Sequence, residues 1–325
     1  VNRIGRWKCK NVLLPYKDIN ECLMMNLSKE KFQKCISEAT EFNIQELKHC
    51  DYYIDEIISY KNDYNKLNGT RTSELGLTEI LKGWRMEEVS IWSGANGSGK
   101  STRLSQEVVH LLKESKKCCI GSFEMPPKKY LWWLVKQFYE KDSITDREVE
   151  MVLNEHAENL FIIDVLGEIK KETLLDIMKF GARKYGIQFF VIDSLMKVSL
   201  TTKNYELLGE QKNFVSSLAD FVKEHKAHVH LVAHPRKTGS DEDIVGKTDV
   251  AGTGDITNLA DNVFVMHRFT EDQKASRKKN GKEPFDARLI VKKNREHGEL
   301  GNVDYYFHKA SKRFVNEKIE EINLI

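Results

Sequence analysis

From about residue 75 onward, short apolar runs alternate with stretches of helical periodicity. Nearly continuous apolar runs at 88–92, 118–123, 160–165, 189–192, 229–233, 262–266 and 288–292 read as strands covered on both faces, since a half-exposed strand would alternate apolar and polar residues. The intervening segments repeat at helical spacing. Leu104, Val108, Leu111 and Leu112, for example, fall on one stripe of a helix. This alternation predicts an α/β fold with a mainly parallel central sheet flanked by helices. Two later runs, 303–307 and 313–315, separated by 309–312, predict a closing hairpin.

The first 74 residues read differently. A short strand at 11–14, a turn at Pro15 and helical segments at 19–25 and 29–39 carry too little apolar material to form a core alone. Residues 51–67 form a helical pattern with an apolar stripe of Tyr53, Ile54, Ile57, Ile58 and Tyr64, and Asn68-Gly69 supplies its stop signal. That stripe needs a partner. Residues 68–73 read as a linker, and the chain has neither a solenoid repeat nor a low-complexity tract.

Composition narrows the function classes. With 325 residues, 40% apolar and 31% charged, the chain can form one large domain or one domain plus an appendage, with a full core. The net charge of +2 is too small for wholesale attraction to nucleic acid, so any such binding must come from local basic segments. Arg236-Lys237, the run 274–282, and Lys292-Lys293 with Arg295 are the candidates, the middle run reading better as a solvated loop. The six cysteines (Cys9, Cys22, Cys35, Cys50, Cys118 and Cys119) form no C-x-x-C pair, which indicates neither a zinc site nor a disulfide framework and makes a reducing cytosol the default. No apolar run approaches the ~20 residues that cross a bilayer. The start, Val1-Asn2-Arg3-Ile4, has no initiator Met and no signal-peptide profile, so the expectation is a soluble piece of a longer protein.

The chemistry concentrates at GANGSGKST. The spacing Gly94-x-x-x-x-Gly99-Lys100-Ser101, between an apolar strand and an amphipathic helix, fits a phosphate loop whose backbone N–H groups wrap a phosphate at a helix N-terminus. Asn96, Gly97, Ser98 and Thr102 complete the loop, Lys100 would reach the β and γ phosphates, and Ser101 would ligate Mg²⁺. Phe189-Phe190-Val191-Ile192-Asp193 ends a buried strand in an acid at the carboxyl edge of the sheet, where Asp193 either joins the metal shell or merely caps the strand. Ser194, which follows, cannot serve as a base at neutral pH. Glu124, ending the 118–123 strand, is the candidate base, a helix-capping carboxylate being the alternative. His234, ending the 229–233 strand, is either a γ-phosphate sensor that moves the next loop or a strand-end histidine with no such role.

The order GANGSGKST, GSFEMP, FFVIDSL, LVAHPRK, DVAGTGDITNLADNV and KKNREHGELG resembles the hexameric replicative helicases of the bacteriophage T7 gene 4 and mitochondrial Twinkle type, with the bacterial DnaB family more distantly similar. The resemblance covers residues 75–325 and implies a RecA-like P-loop NTPase domain that hydrolyses ATP or another NTP with Mg²⁺. It further implies a homo-oligomeric, hexameric ring moving 5′ to 3′ on single-stranded DNA and unwinding forked duplex. By the same resemblance Glu124 is the catalytic base, His234 the γ-phosphate sensor, and Lys293 and Arg295 reach into a neighbour's site, Arg295 as arginine finger. Arg268 and Phe307 would flank the adenine, while Arg236, Lys237, Lys247, Gly252 and Thr253 fall in the loop that grips DNA. NVLLPYKDINECL with SKEKFQKCISEA resembles the tail of a Toprim-type primase domain, which gives expected boundaries of 1–48 for that remnant, 49–74 for the linker helix and linker, and 75–325 for the motor. Primase, polymerase or loader partners and a cytoplasmic setting, bacterial or phage-infected, are implied, with an organellar matrix as the alternative.

Two departures stand out. Asp241, Glu242 and Asp243, with Ala251 where the phage enzyme is basic, weaken phosphate attraction in the loop. Glu87-Glu88 precedes the first motor strand where a glycine turn is common. The rival readings are a RecA-like recombination ATPase without unwinding, a nucleotide-binding accessory module without turnover, and a metabolic kinase.

Overall fold

The computed structural model describes residues 3–5, 8–41, 47–63, 67–199, 207–235 and 254–318. The chain divides into two compact units, residues 1–62 and 63–325. In the first, strands β1 (Lys10–Asn11) and β2 (Thr40–Glu41) pair antiparallel around helices α1 (Ile19–Met24) and α2 (Lys29–Ser37). Asp18 and Ser28 accept from Glu21 N–H and Lys31 N–H and so fix where the two helices begin. The predicted strand at 11–14 thus shrinks to a two-residue pair ahead of Pro15. A short 3₁₀ turn, Cys50–Tyr53, leads into α3 (Ile54–Asn62). The apolar stripe expected there is exposed within this unit, Ile54, Ile57 and Ile58 each being more than half accessible.

The second unit opens with α4 (Leu75–Leu81), followed by β3 (Glu88–Ser93), α5 (Lys100–Lys113), β4 (Cys118–Ser122), α6 (Pro127–Tyr139), α7 (Asp146–Glu155) and β5 (Leu160–Ile162). A small parallel pair, β6 (Ile169–Lys170) and β8 (Val198–Ser199), flanks α8 (Lys171–Phe180) and β7 (Phe189–Asp193). The chain continues through α9 (Leu207–His225), β9 (His228–Val232), α10 (Gly254–Leu259), β10 (Asn262–Arg268), α11 (Glu271–Lys279), β11 (Ala287–Asn294), β12 (Gly301–His308) and β13 (Arg313–Val315).

Among the described residues, nine strands form one sheet in the order β13-β12-β11-β10-β3-β9-β7-β4-β5. From β10 to β5 every pairing is parallel. Side chains alternate between two cores, as a strand buried on both faces requires. Val89, Ile91, Phe190, Ile192, Val263 and Val265 pack with α8 and α9 residues such as Leu174, Phe214 and Phe221. Trp92, Phe189, Val191, Phe264 and Met266 pack with Leu104, Val108, Leu111 and Leu112 of α5.

The three edge strands depart from the parallel expectation, since β11, β12 and β13 run antiparallel. The cause lies in α11, EDQKASRKK, which buries none of its residues. A crossover helix must lay an apolar stripe on the sheet; without one, the chain folds back beside β10. The hairpin predicted at 303–315 is the pairing of β12 with β13, with Phe307 opposite Phe314.

Glu87 has φ +67°, the left-handed region that glycine adopts without cost. The glycine turn common at this point is therefore present as a conformation with a glutamate in it.

Candidate nucleotide site

The phosphate loop follows β3 at the carboxyl edge of the parallel strands and runs into α5. Two of its glycines are dictated by space. Gly94 has φ +140°, and a Cβ there would lie 2.1 Å from the Met266 carbonyl oxygen. Gly99, at φ +99°, would place a Cβ 2.5 Å from the Phe314 ring. No substituted residue fits either position without moving its neighbours.

Lys100 is buried and folds over the loop, its Nζ donating to the carbonyls of Gly94 at 2.7 Å and Ala95 at 2.9 Å. Burial pulls its ammonium down to about 8, against the opposing pull of the Asp193 and Glu124 carboxylates. Ser101 Oγ donates to Asp193 Oδ2 at 2.5 Å, so the two residues expected at the metal converge. Burial raises the Asp193 carboxyl, the Ser101 hydrogen bond lowers it, the Glu124 charge raises it and Lys100 lowers it, with a net upward shift. A carboxylate held above its ordinary range beside a hydroxyl is a site that a divalent cation would stabilise, and this donor pair fits Mg²⁺. Ser98 Oγ is buried with no hydrogen-bond partner among the described residues, a polar atom suited to a ligand in the loop.

Glu124 is exposed, one residue beyond Phe123. Its Oε1 accepts from Ser194 Oγ at 2.9 Å and lies 3.6 Å from His234 Nε2. Burial lowers the His234 imidazole, helped by Lys100, while Glu124 opposes, so a neutral ring is favoured. Ser194, which sequence reasoning set aside as unable to be a base, instead orients the candidate base. It directly follows Asp193 at the end of β7, which pairs with β4, and that adjacency of strands is not written in the sequence.

A cleft of about 1380 Å³ joins these groups. Residues 95–102, Asp193, Glu124 and His234 line it together with Arg268 and Phe307. Phe307 is held by two groups that the sequence did not single out. Phe314 packs at 5.1 Å between ring centroids, and Asp286 Oδ2 accepts from Phe307 N–H at 2.8 Å while Oδ1 pairs with Lys274 at 2.6 Å. The cross-strand alignment of two aromatic residues in the predicted hairpin could have revealed Phe314; Asp286, in a loop, carried no such pattern.

Lys293 and Arg295 do not join the cleft. β11 runs antiparallel with Asn294 opposite Asn262, so both residues stand back toward the start of the parallel strands, away from the phosphate loop. The register sets Lys293 level with Ile91 and Arg295 level with Val89, so at about 3.3 Å per residue their backbones stand about 7 Å and about 13 Å along the sheet from Ser93, where the loop begins. Lys293 Nζ donates to the carbonyls of Thr257, Asn258 and Ala260, and Arg295 to those of Asn258 and Leu259. They cap the C-terminal carbonyls of α10. Arg236, Lys237, Lys247, Gly252 and Thr253, and the acidic departures at 241–243, lie outside the described residues.

No helix among the described residues is long and apolar enough to cross a membrane. The fold is similar to a solved structure described as an ATPase domain, with TM-score 0.67 and 15% identity over 84% of this chain and 100% of that one. It is equally similar, at TM-score 0.67 and 16% identity over 92% of this chain and 75% of that one, to a DnaB-like replicative helicase whose structure was described with its interactions with primase. These likenesses identify the RecA-like α/β architecture. In sequence the chain is 24% identical over 270 residues to the replicative DNA helicase DnaB of Mycoplasma genitalium, matching 77% of this chain and 57% of that protein, so it spans little more than half of that relative's length. The DnaB-like helicase C terminal domain family matches residues 69–316, a span that includes the GANGSGKST loop, the Asp193 strand and the edge hairpin, and the chain belongs to that family.

Proposed function

We propose that the chain is the motor part of a ring-shaped replicative DNA helicase, which hydrolyses ATP to move along single-stranded DNA and separate the duplex ahead. The observation that carries this reading is the division of charged groups between the two ends of one sheet. Lys100, Ser101, Asp193, Glu124 and His234 gather at the carboxyl end, while Lys293 and Arg295 stand back toward the other. Cations that are turned to the α10 carbonyls and Asp261, outside the cleft of their own subunit, can serve catalysis in another subunit's site, which a closed ring supplies.

In this reading Lys100 leaves the loop carbonyls to hold phosphate oxygens, and Ser101 and Asp193 hold Mg²⁺, which supplies charge neutralisation to the triphosphate when bound. Glu124, oriented by Ser194, takes the proton of the attacking water. His234 reports the departure of the γ-phosphate to the segment 236–253, proposed to grip DNA. Arg268 and Phe307 flank the base. The exposed stripe of α3 is the surface offered to the next subunit. Movement is 5′ to 3′, primase is a partner as for the structural relative, and the cell compartment is the cytoplasm of a bacterium or phage-infected host. The narrower kinship with the T7 gene 4 and Twinkle type, a Toprim remnant at 1–48, the linker at 49–74 and the motor at 75–325 rest on motif resemblance.

The test is steady-state ATP hydrolysis across a protein concentration series, with and without single-stranded DNA, beside Arg295→Ala. A rate per subunit that rises with concentration and DNA and collapses in the variant supports the ring motor. A slow rate indifferent to all three sinks it in favour of a nucleotide-binding accessory module.

A further inference from the structure

Asp261 lies in the short connection between α10 and β10. It is bound to the first residues of β3 on both backbone and side chain: its N–H donates to the Val89 carbonyl at 2.9 Å, and its Oδ2 accepts from Val89 N–H at 2.9 Å. The other carboxylate oxygen, Oδ1, lies 2.8 Å from Arg295 Nη1. The Asp261 carbonyl also accepts from Arg295 N–H at 3.0 Å. Asp261 is thus a fixed anchor, with a side chain only 15% exposed, while the guanidinium it holds is 50% exposed. Nη2 of the same guanidinium donates to Asn258 at 2.7 Å and Leu259 at 3.2 Å.

An unrestrained arginine at a strand end samples many rotamers, and a cation meant to meet a phosphate must be delivered in one. The carboxylate on one side and the α10 carbonyls on the other restrict the guanidinium to one plane, and these contacts do not exhaust its five N–H groups. The strand on which Asp261 is anchored is β3, which runs directly into the phosphate loop of the same subunit. The outgoing cation and the resident phosphate site therefore share one rigid frame.

We propose that Asp261 is a positioning residue for Arg295: it holds the guanidinium in the direction from which it enters a neighbouring subunit's nucleotide site. The inference rests on the reading of Arg295 as acting in trans. Its consequence is that loss of Asp261 damages the neighbour's site and spares its own.

Subunit mixing reads that consequence. Asp261→Asn keeps the shape and removes the charge; its kcat for ATP should fall about tenfold to hundredfold with KM changed less than twofold. Asp261→Glu, which restores the charge, should recover part of the rate. Asp261→Asn is then mixed with Lys100→Ala, whose subunits hydrolyse nothing but carry an intact Arg295. The mixture should exceed the average of the two separate preparations, because a Lys100→Ala neighbour serves the intact phosphate loop of an Asp261→Asn subunit. A misfolded Asp261→Asn subunit could not be rescued in this way. Arg295→Ala mixed with Lys100→Ala is the control. Gain in the control without gain for Asp261→Asn overturns the role of Asp261 alone, as does an unchanged kcat. Absence of gain in both mixtures overturns the trans reading, and the positioning role with it.

Discussion

On the proposed function, Lys100 should make ATP binding weaken at alkaline pH. Its Nζ is buried against the carbonyls of Gly94 and Ala95, and burial pulls it down to about 8. A triphosphate is held by the ammonium form only, so the apparent Kd is multiplied by 1 + 10^(pH − 8). The factor is about 1.1 at pH 7, about 2 at pH 8 and about 11 at pH 9, a weakening of roughly tenfold across two units. Fluorescence titration with a non-hydrolysable ATP analogue and Mg²⁺, at constant ionic strength from pH 7 to pH 9, measures it. Calorimetry in two buffers gives a second readout, since binding at pH 9 should take up close to one proton and binding at pH 7 almost none. Lys100→Met should bind weakly and without this slope. A lysine near its ordinary value of about 10.4 would leave Kd flat to pH 9, and a flat profile with no proton uptake would refute the argument that burial in the loop lowers Lys100.

Glu124→Gln keeps the size of the residue that Ser194 contacts but cannot accept the proton of water, so kcat should drop ~10²-fold to 10⁴-fold while the analogue still binds; retained turnover excludes Glu124 as the base. Arg103 and Glu107 form an ion pair in which neither side chain is exposed, and Glu107 also accepts from Ser73 and Trp84. Glu107→Ala leaves a buried guanidinium short of its partner and should cost about 3–5 kcal/mol by urea denaturation, with Arg103→Met/Glu107→Leu recovering much of that loss. Glu87→Gly relieves a left-handed glutamate and should stabilise by up to about 1 kcal/mol, the gain being limited by the entropy of glycine in the unfolded chain; a loss of stability would mean the Glu87 side chain contributes more than its backbone costs.

The central sheet was legible in the sequence because burial on both faces leaves apolar runs that few other structures produce, and the phosphate loop because its spacing is fixed by backbone geometry. The edge strands were not, since the direction of β11 depends on what α11 fails to bury rather than on anything within β11 itself. Among the site residues, Ser101 was marked by motif spacing and Asp193 by its place at the end of a buried apolar strand, but the bond from Ser194 to Glu124 depends on two strands being adjacent, which one sequence does not state. The location of Lys293 and Arg295 is of the same kind. Motif resemblance suggested phosphate chemistry for them, while the antiparallel register determines which part of the sheet they stand beside.

That register also bears on how hydrolysis could be linked to movement. Three adjacent strands each deliver one polar group to the cleft: β4 leads to Glu124, β7 ends in Asp193, and β9 leads to His234. The candidate base and the metal-side carboxylate therefore sit on different strands, joined through Ser194, and His234 reaches the same base from the third. The segment after His234 returns as α10, whose final carbonyls are held by Lys293 and Arg295. One stretch of chain thus has the candidate sensor of its own nucleotide at its start and the cations proposed for the neighbour's nucleotide at its end. On the proposed function, in which DNA is gripped between those two points, a shift of α10 would act directly on the carbonyls that hold Lys293 and Arg295.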